Sequence, residues 1–356
     1  MSGSALSLAF SEIGIGDRPA VGGKGASLGE LLRAGISVPQ GFVITTMAFE
    51  RFIAAIDPEG SIRRAIEGLA AGDLLAISKV AEGIRERIVQ APVSDDLARA
   101  IVQGYAELCS GMAEDQPVAI RSSATSEDSS EASFAGLQDT YLWIRGGAGV
   151  LNAVRDCWAS LYSAESVSYR LRFKLPEEGL AMGVVVQRMV NSRCSGVMFT
   201  RSPLTGDRSV IVIETSWGLG SAIVSGIVTP DKYVISKVTG EVVKRAVSHK
   251  TVQHVPDFAA GGVREIAVPD DRRDEPCLSE EQLGELARIG KLVEAHYGCP
   301  QDIEWAFAPD VAGGESLFLL QSRPETIWAN KEAKPAATPK TTAFAHVFDL
   351  FGGAKT

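Results

Sequence analysis

Residues 21–45 read VGGKGASLGELLRAGISVPQGFVIT. Gly22, Gly23 and Gly25 surround Lys24. Glycine lets backbone amides approach an anion closely, and a helix that starts there points its positive end the same way. Lys24 adds a mobile point charge suited to phosphate oxygens. The spacing is not that of a Walker A loop, because Lys24 is followed by Gly25 and not by Ser or Thr. Ser27 to Ala34 then read as a helix with Gly35 as its stop, and Pro39 introduces a strand at Gly41 to Thr45. Taken alone, the stretch is equally a plain Gly-rich turn with an exposed lysine.

Outward from that stretch the pattern is first helical. FERFIAAI and ISKVAEGIRERIV, within residues 46 to 115, repeat apolar side chains at helical spacing, with Pro58 and Pro92 as breaks. From Pro117 it turns to β: VAIRSS, DTYLWI, GVVVQRMV, SGVMFT, VIVIETS and DKYVIS are short and rich in Val and Ile. One helix, VLNAVRDCWASLYSAESVSYRLR, lies among them. Residues 255 to 278 are polar and acidic and read as a loop or a weakly ordered crossing. SEEQLGELARIGKLVEAHYG reads as a helix capped by Ser279 and ended by Gly298. DIEWAF and SLFLLQSRP are two further strands. Residues 329 to 343 have linker composition, and FAHVFDLF beyond them reads either as a tethered docking peptide or as a frayed terminus. The fold class expected is α+β.

Three segments carry chemistry. In VAIRSSATSEDSSEASFAGLQDTYL a strand delivers Arg121, whose planar fork suits phosphate, to a loop of small residues able to cover it. Gly136 permits close backbone approach, and Thr140 offers a hydroxyl where the next strand begins. The acidic Glu127, Asp128 and Glu131 fit a solvated surface loop just as well. In the last two strands, period-two alternation puts Asp302, Glu304 and Ala306 on one face, and Leu317, Leu319, Gln321 and Arg323 on one face of the other strand. If the strands pair, Glu304 and Gln321 converge as oxygen donors of the kind Mg²⁺ takes beside substrate phosphates, with Arg323 close by. A hairpin with a polar outer face has the same pattern. Gln187 rides a very apolar strand, as in adenine slots, and Glu214 stands before the Gly-rich turn of ETSWGLGSAIVSG, within reach of a ribose or metal or as a turn cap.

Bulk properties narrow the class. The chain has 356 residues, 45% hydrophobic and 22% charged, ordinary for a soluble enzyme with a substantial core. A net charge of -9 argues against non-specific nucleic-acid binding. Cys109, Cys157, Cys194, Cys277 and Cys299 form no CxxC pair and read as free thiols of a reducing compartment. With no signal-like N-terminus in MSGSALSLAFSEIG and no membrane-length apolar run, the protein is expected in the cytoplasm, with neither membrane nor nucleic acid as partner.

Taken together and in order, VGGKGASLGELLRAGISVPQGFVIT, RSSATSEDSSEASFAGLQDTYL, SGVMFTRSPLTGD, ETSWGLGSAIVSG and DIEWAF…LLQSRP resemble the N-terminal nucleotide-binding domain of the phosphoenolpyruvate synthase and pyruvate phosphate dikinase family. The resemblance spans roughly residues 10 to 328. It implies an ATP-grasp-type fold, with subdomains of roughly 1–185 and 186–328 and ATP held between them. It also implies ATP and Mg²⁺ (or Mn²⁺) as cofactors. Residue by residue it puts Lys24, Arg121 and Arg323 on the ATP phosphates, Gly136 and Thr140 in the phosphate cover, Gln187 on the adenine side, and Glu304 and Gln321 on the metal.

The family pattern passes the β-phosphoryl of ATP to a histidine in a T-S-H type motif. No such motif surrounds His249, His254, His296 or His346. The expected partner is therefore a separate subunit carrying the phospho-accepting histidine and the acceptor-binding domain. Such a split arrangement resembles phenylphosphate synthase, in which the final acceptor is phenol. The nucleotide half of another split synthase or antibiotic phosphotransferase, or a regulatory ATP-binding subunit without chemistry, remains an alternative.

Overall fold

Antiparallel pairing builds two large sheets and two two-stranded ones among the described residues. The computed structural model describes residues 5–112, 115–125, 139–258, 261–309 and 314–326, with residue 328 and the backbone of two short strands, Asp128–Ser129 and Ala132–Ser133. The first sheet contains β1 (Ser7–Ala9), β2 (Gly41–Ile44), β3 (Val118–Ala124), β4 (Thr140–Ile144) and β5 (Met182–Arg188), in the order β1-β2-β5-β3-β4. The second contains β6 (Cys194–Phe199), β7 (Val210–Trp217), β8 (Asp231–Ser236), β9 (Val242–Ala246), β10 (Gln301–Pro309) and β11 (Glu315–Pro324), in the order β9-β8-β7-β6-β10-β11. Every neighbouring pair in both sheets is antiparallel. Helices need not serve as crossovers in such sheets, and the class is α+β as expected. Residues Met1–Glu325 form one compact unit; of the second, Thr326–Thr356, only residues 326 and 328 are described.

The helices segregate by what they cover. Helices α2 (Thr46–Ile56), α3 (Ser61–Glu67), α4 (Leu74–Gln90), α5 (Asp95–Leu108), α6 (Gly147–Ser160) and α7 (Ala164–Phe173) contribute to one core with Ile44, Ile120, Val184 and Val186 of the first sheet. Phe52 stacks on Trp158 at 4.9 Å within it. A second core joins α1 (Arg18–Arg33) and α9 (Glu280–Tyr297) to the second sheet through Leu28, Leu286, Met198, Ile213 and Trp305. Val185 belongs to this second core while its neighbours Val184 and Val186 belong to the first. A strand buried on both faces reads as a continuous apolar run, which is why GVVVQRMV shows no alternation.

Three local expectations are corrected. Helix α1 starts at Arg18, not at Ser27, and the glycine-rich turn shrinks to one non-helical residue, Gly22. The single helix expected over 150–172 is two, because the Ser163 hydroxyl accepts from the Ser166 amide and starts α7 anew. Residues 255–278 are not a loose crossing. Val252–Pro256 pairs with Val263–Ala267 across a turn at Gly261 and Gly262, both at positive φ (79° and 83°). Beyond that hairpin, Val268, Cys277 and Leu278 are buried. Among the described residues no helix is long and apolar enough to cross a membrane.

Candidate functional site

Helix α1 is fixed between the two sheets by its small residues. Gly22 has φ 73° and ψ 178°, and a Cβ there would lie 1.8 Å from the Ser123 carbonyl oxygen of β3. Only glycine meets both demands. The Ser123 hydroxyl accepts from the Gly25 amide at 3.0 Å and donates to the Val21 carbonyl at 2.7 Å. On the other side, the Ser27 hydroxyl donates to the Ser322 carbonyl of β11 at 2.6 Å. Lys24 therefore rides a helix turn anchored to β3 and β11 together.

Strand β3 sends Val118 and Ile120 into the helical core, so Arg121 emerges on the opposite face. It stands opposite Thr140 in register. Its Nη2 donates to Glu304 Oε2 at 2.7 Å and to Gln321 Oε1 at 2.5 Å. Its Nη1 donates to the Leu320 carbonyl at 2.9 Å and to Gln187 Oε1 at 3.4 Å. One guanidinium from the first sheet thus gathers three acceptors from the second.

The bulge in β11 makes this convergence possible and corrects the expected alternation. Glu304 pairs with Gln321, but its neighbour Trp305 pairs with Leu319, leaving Leu320 without a partner in the register. Directly paired residues share a face, so the extra residue puts Gln321 beside Glu304 while Leu317 and Leu319 join Trp305 in the core. Leu317, Leu319, Gln321 and Arg323 therefore do not share one face. Two residues on, Arg323 Nε donates to Asp302 Oδ2 at 2.9 Å. Burial pushes the Asp302 carboxyl up, against the opposing effect of Arg323.

Glu304 is held ionised. Desolvation would raise its pKa, but the charge and hydrogen bond of Arg121, followed by the charges of Arg323 and Lys24, hold it below the ordinary carboxylate range. The two oxygens that reach one cationic nitrogen, Glu304 Oε2 and Gln321 Oε1, form a hard donor pair. The guanidinium stands where such a pair would present itself to a divalent cation that completes its shell with phosphates and water. No group of three or more His, Cys, Asp or Glu able to hold a metal occurs among the described residues.

Beside this polar knot opens a cavity of 380 Å³. Arg121, Thr140, Gln187 and Glu304 line its polar side, and Leu142, Met189, Val190 and Leu219 an apolar one. Gln187 is 3% exposed, and its buried Nε2 has no hydrogen-bond partner among the described residues. A ligand acceptor in the cavity would satisfy that donor.

Five of the nine predicted residues thus meet at one place: Arg121, Thr140, Gln187, Glu304 and Gln321. Arg323 lies one same-face step along the β10–β11 ladder, and Lys24 lies within electrostatic reach of Glu304. Glu214 shares the face of Glu304, with Val197 between them in register, but its carboxylate is taken by Lys232 Nζ at 2.6 Å. It is therefore not drawn into the knot. Gly136 lies outside the described residues. The sequence reading missed the wall built by α8 (Ser221–Val224), where Ser221 Oγ is 2.8 Å from His254 Nδ1. The segment ETSWGLGSAIVSG carries a signal for it, an apolar turn of helix after glycines.

Over 346 residues the chain is 42% identical to phosphoenolpyruvate synthase of Aeropyrum pernix, an alignment covering 90% of this chain and 42% of that protein. It is 40% identical to a probable phosphoenolpyruvate synthase of Methanocaldococcus jannaschii, covering 92% of this chain and 27% of the other. Rifampicin phosphotransferase of a Streptomyces species is 42% identical, over 86% of this chain and 34% of its own length. The chain thus spans less than half the length of these curated relatives. Residues 18–343 match the pyruvate phosphate dikinase AMP/ATP-binding domain, and the chain belongs to that family.

Proposed function

We propose that this chain binds Mg·ATP in the cleft between its two sheets and donates the β-phosphoryl group to a histidine on a partner subunit. The two sheets are then the two subdomains of an ATP-grasp-type fold. The observation that carries the reading is the knot at Arg121, where cationic and oxygen donors from both sheets meet beside an apolar cavity. Such a cavity suits a base and such a knot suits a polyphosphate.

In this reading Arg121, Lys24 and Arg323 neutralise the phosphate oxygens, and Gln187 turns its spare amide hydrogens to the base. Magnesium, held by Glu304 and Gln321, would withdraw charge from the phosphate oxygens when bound. The imidazole nitrogen of the partner attacks the β-phosphorus, and water takes the γ-phosphoryl, so that AMP, phosphate and a phosphohistidine result. His249, His254 and His296 pair with Asp274, Ser221 and Glu30, and none of the three lines the cavity. His346 lies outside the described residues. We read phenol as the final acceptor, on the resemblance to the nucleotide subunit of phenylphosphate synthase.

The test is β-labelled ATP offered to this chain with a histidine-bearing subunit of that synthase. Label on the subunit, AMP release and loss of both in Lys24→Ala with an unchanged fold are expected. Release of ADP instead of AMP would mark a simple kinase, and absence of any turnover would leave only a nucleotide sensor.

A further inference from the structure

One hairpin touches both sides of the cleft. Its strand Val252–Pro256 is rooted at the α8 wall, where the Leu219 amide donates to the His254 carbonyl at 2.9 Å and Ser221 Oγ meets His254 Nδ1. Leu219 and Ser221 line the cavity. The far end is closed by hydrogen bonds from the Asp257 amide to Gly262 and from the Gly261 amide to Asp257, both 3.0 Å. From this closed end Phe258 sets its ring edge-on to the Trp143 indole, centroids 5.8 Å apart and planes at 84°. The Arg145 guanidinium lies 6.0 Å from the centre of the same ring.

Trp143 belongs to β4 and Arg145 follows it, at the edge of the other sheet. Thr140 and Leu142 of that strand line the cavity from the opposite side. The strand is irregular here: Val118 pairs with Ile144 but Ile120 with Tyr141, so the β4 segment carries one residue more than its partner. Trp143 takes φ 62° at this bulge, in the left-handed region that side chains avoid, and is buried. A conformation of that kind persists only where neighbours impose it. Phe258, though 63% exposed, is in ring contact with Trp143.

We propose that Phe258 is a positioning residue for the nucleotide: through Trp143 it clasps the edge strand to the hairpin and keeps Thr140 and Leu142 set against the cleft. Release of this small aromatic contact lets β4 move away and nucleotide exchange. The assignment rests on the cleft being the ATP site.

Stopped-flow release of a fluorescent N-methylanthraniloyl ATP from Phe258→Ala, Phe258→Tyr and wild-type protein tests it. Phe258→Ala is expected to speed release by about tenfold, the order an aromatic pair supplies, and Phe258→Tyr to restore it. Hydrogen exchange at residues 140–145, measured without nucleotide, is expected to rise in Phe258→Ala while the thermal midpoint stays put. Unchanged release overturns the proposal whatever exchange does. If wild-type protein binds no nucleotide, the ATP reading falls; unchanged exchange at 140–145 then overturns the clasp as well, and raised exchange upholds it.

Discussion

Arg121 Nη2 on β3 lies 2.7 Å from Glu304 Oε2 on β10, a side-chain ion pair that spans the two sheets. The same nitrogen is shared with Gln321, so both oxygens face a cation already present in the protein. An entering polyphosphate competes for the guanidinium, and an entering divalent cation competes for the oxygens. The two competitions favour each other, because each ligand frees the partner that the other needs. Nucleotide and metal should therefore bind with positive coupling, tighter together than either alone.

Replacing Arg121 by Ala leaves Glu304 half-buried with its principal counter-ion gone and removes the hydrogen bond to the Leu320 carbonyl. A loss of roughly 1–3 kcal/mol is expected, the cost of stranding such groups. Urea unfolding measures it, and Arg121→Lys should recover only part, since an ammonium cannot reach Glu304, Gln321 and Leu320 with a planar fork. A midpoint unchanged in Arg121→Ala would show that the sheets do not depend on the pair.

The acid side of the stability profile should report Glu304. Its folded pKa lies below the unfolded value, so its contribution is complete above the unfolded pKa of about 4.3 and is lost as pH falls through the lower, folded one. Thermal midpoints of wild type and Glu304→Gln should therefore converge on acidification below about pH 4. Midpoints that differ by the same amount at pH 7 and pH 3 would mean that the ionised form is not favoured by folding.

Much of this site was legible because its chemistry follows strand arithmetic. Arg121 within VAIRSS needed only alternation, and the pairing of the two strands that carry Glu304 and Gln321 needed only a hairpin. What was hidden is what a single strand cannot display. The bulge at Leu320 is a property of β11 against β10, and it moves Leu317 and Leu319 to the face away from Gln321. Gly22 looks like one of several glycines until Ser123, about a hundred residues on, leaves no room for a Cβ. The break at Ser163 lay inside an unbroken apolar pattern, where a serine cap competes with helix continuation without leaving a gap. The hairpin after Val252 carries exposed polar residues on short strands, so its composition resembles a loop.

Gly22→Ala should be among the most damaging single-methyl changes in the chain. The added Cβ meets the Ser123 carbonyl, a backbone atom held in β3, and the residue must also keep φ 73°. Left-handed strain alone costs on the order of 1 kcal/mol, and the clash adds to it. Gly35→Ala is the control, since φ is 74° there and no described residue comes within 4 Å of the added Cβ. Calorimetry should show a distinctly larger drop for Gly22→Ala, together with loss of nucleotide affinity because Lys24 is displaced; equal drops would mean that the packing against Ser123 is loose.

Gln187→Met should separate stability from binding. The amide Nε2 is buried without a partner among the described residues, a state that costs roughly 1–3 kcal/mol, and methionine has a similar length without the donor. Arg121 loses a 3.4 Å contact but keeps Glu304, Gln321 and Leu320. The variant is therefore expected to unfold at the same or a higher temperature than wild type while its ATP affinity falls about tenfold, the worth of one directed hydrogen bond in a dry cavity. Calorimetric titration with ATP beside a thermal scan reads both quantities on one sample. A variant that loses stability and keeps its affinity would show that the amide hydrogens face the protein and not the ligand.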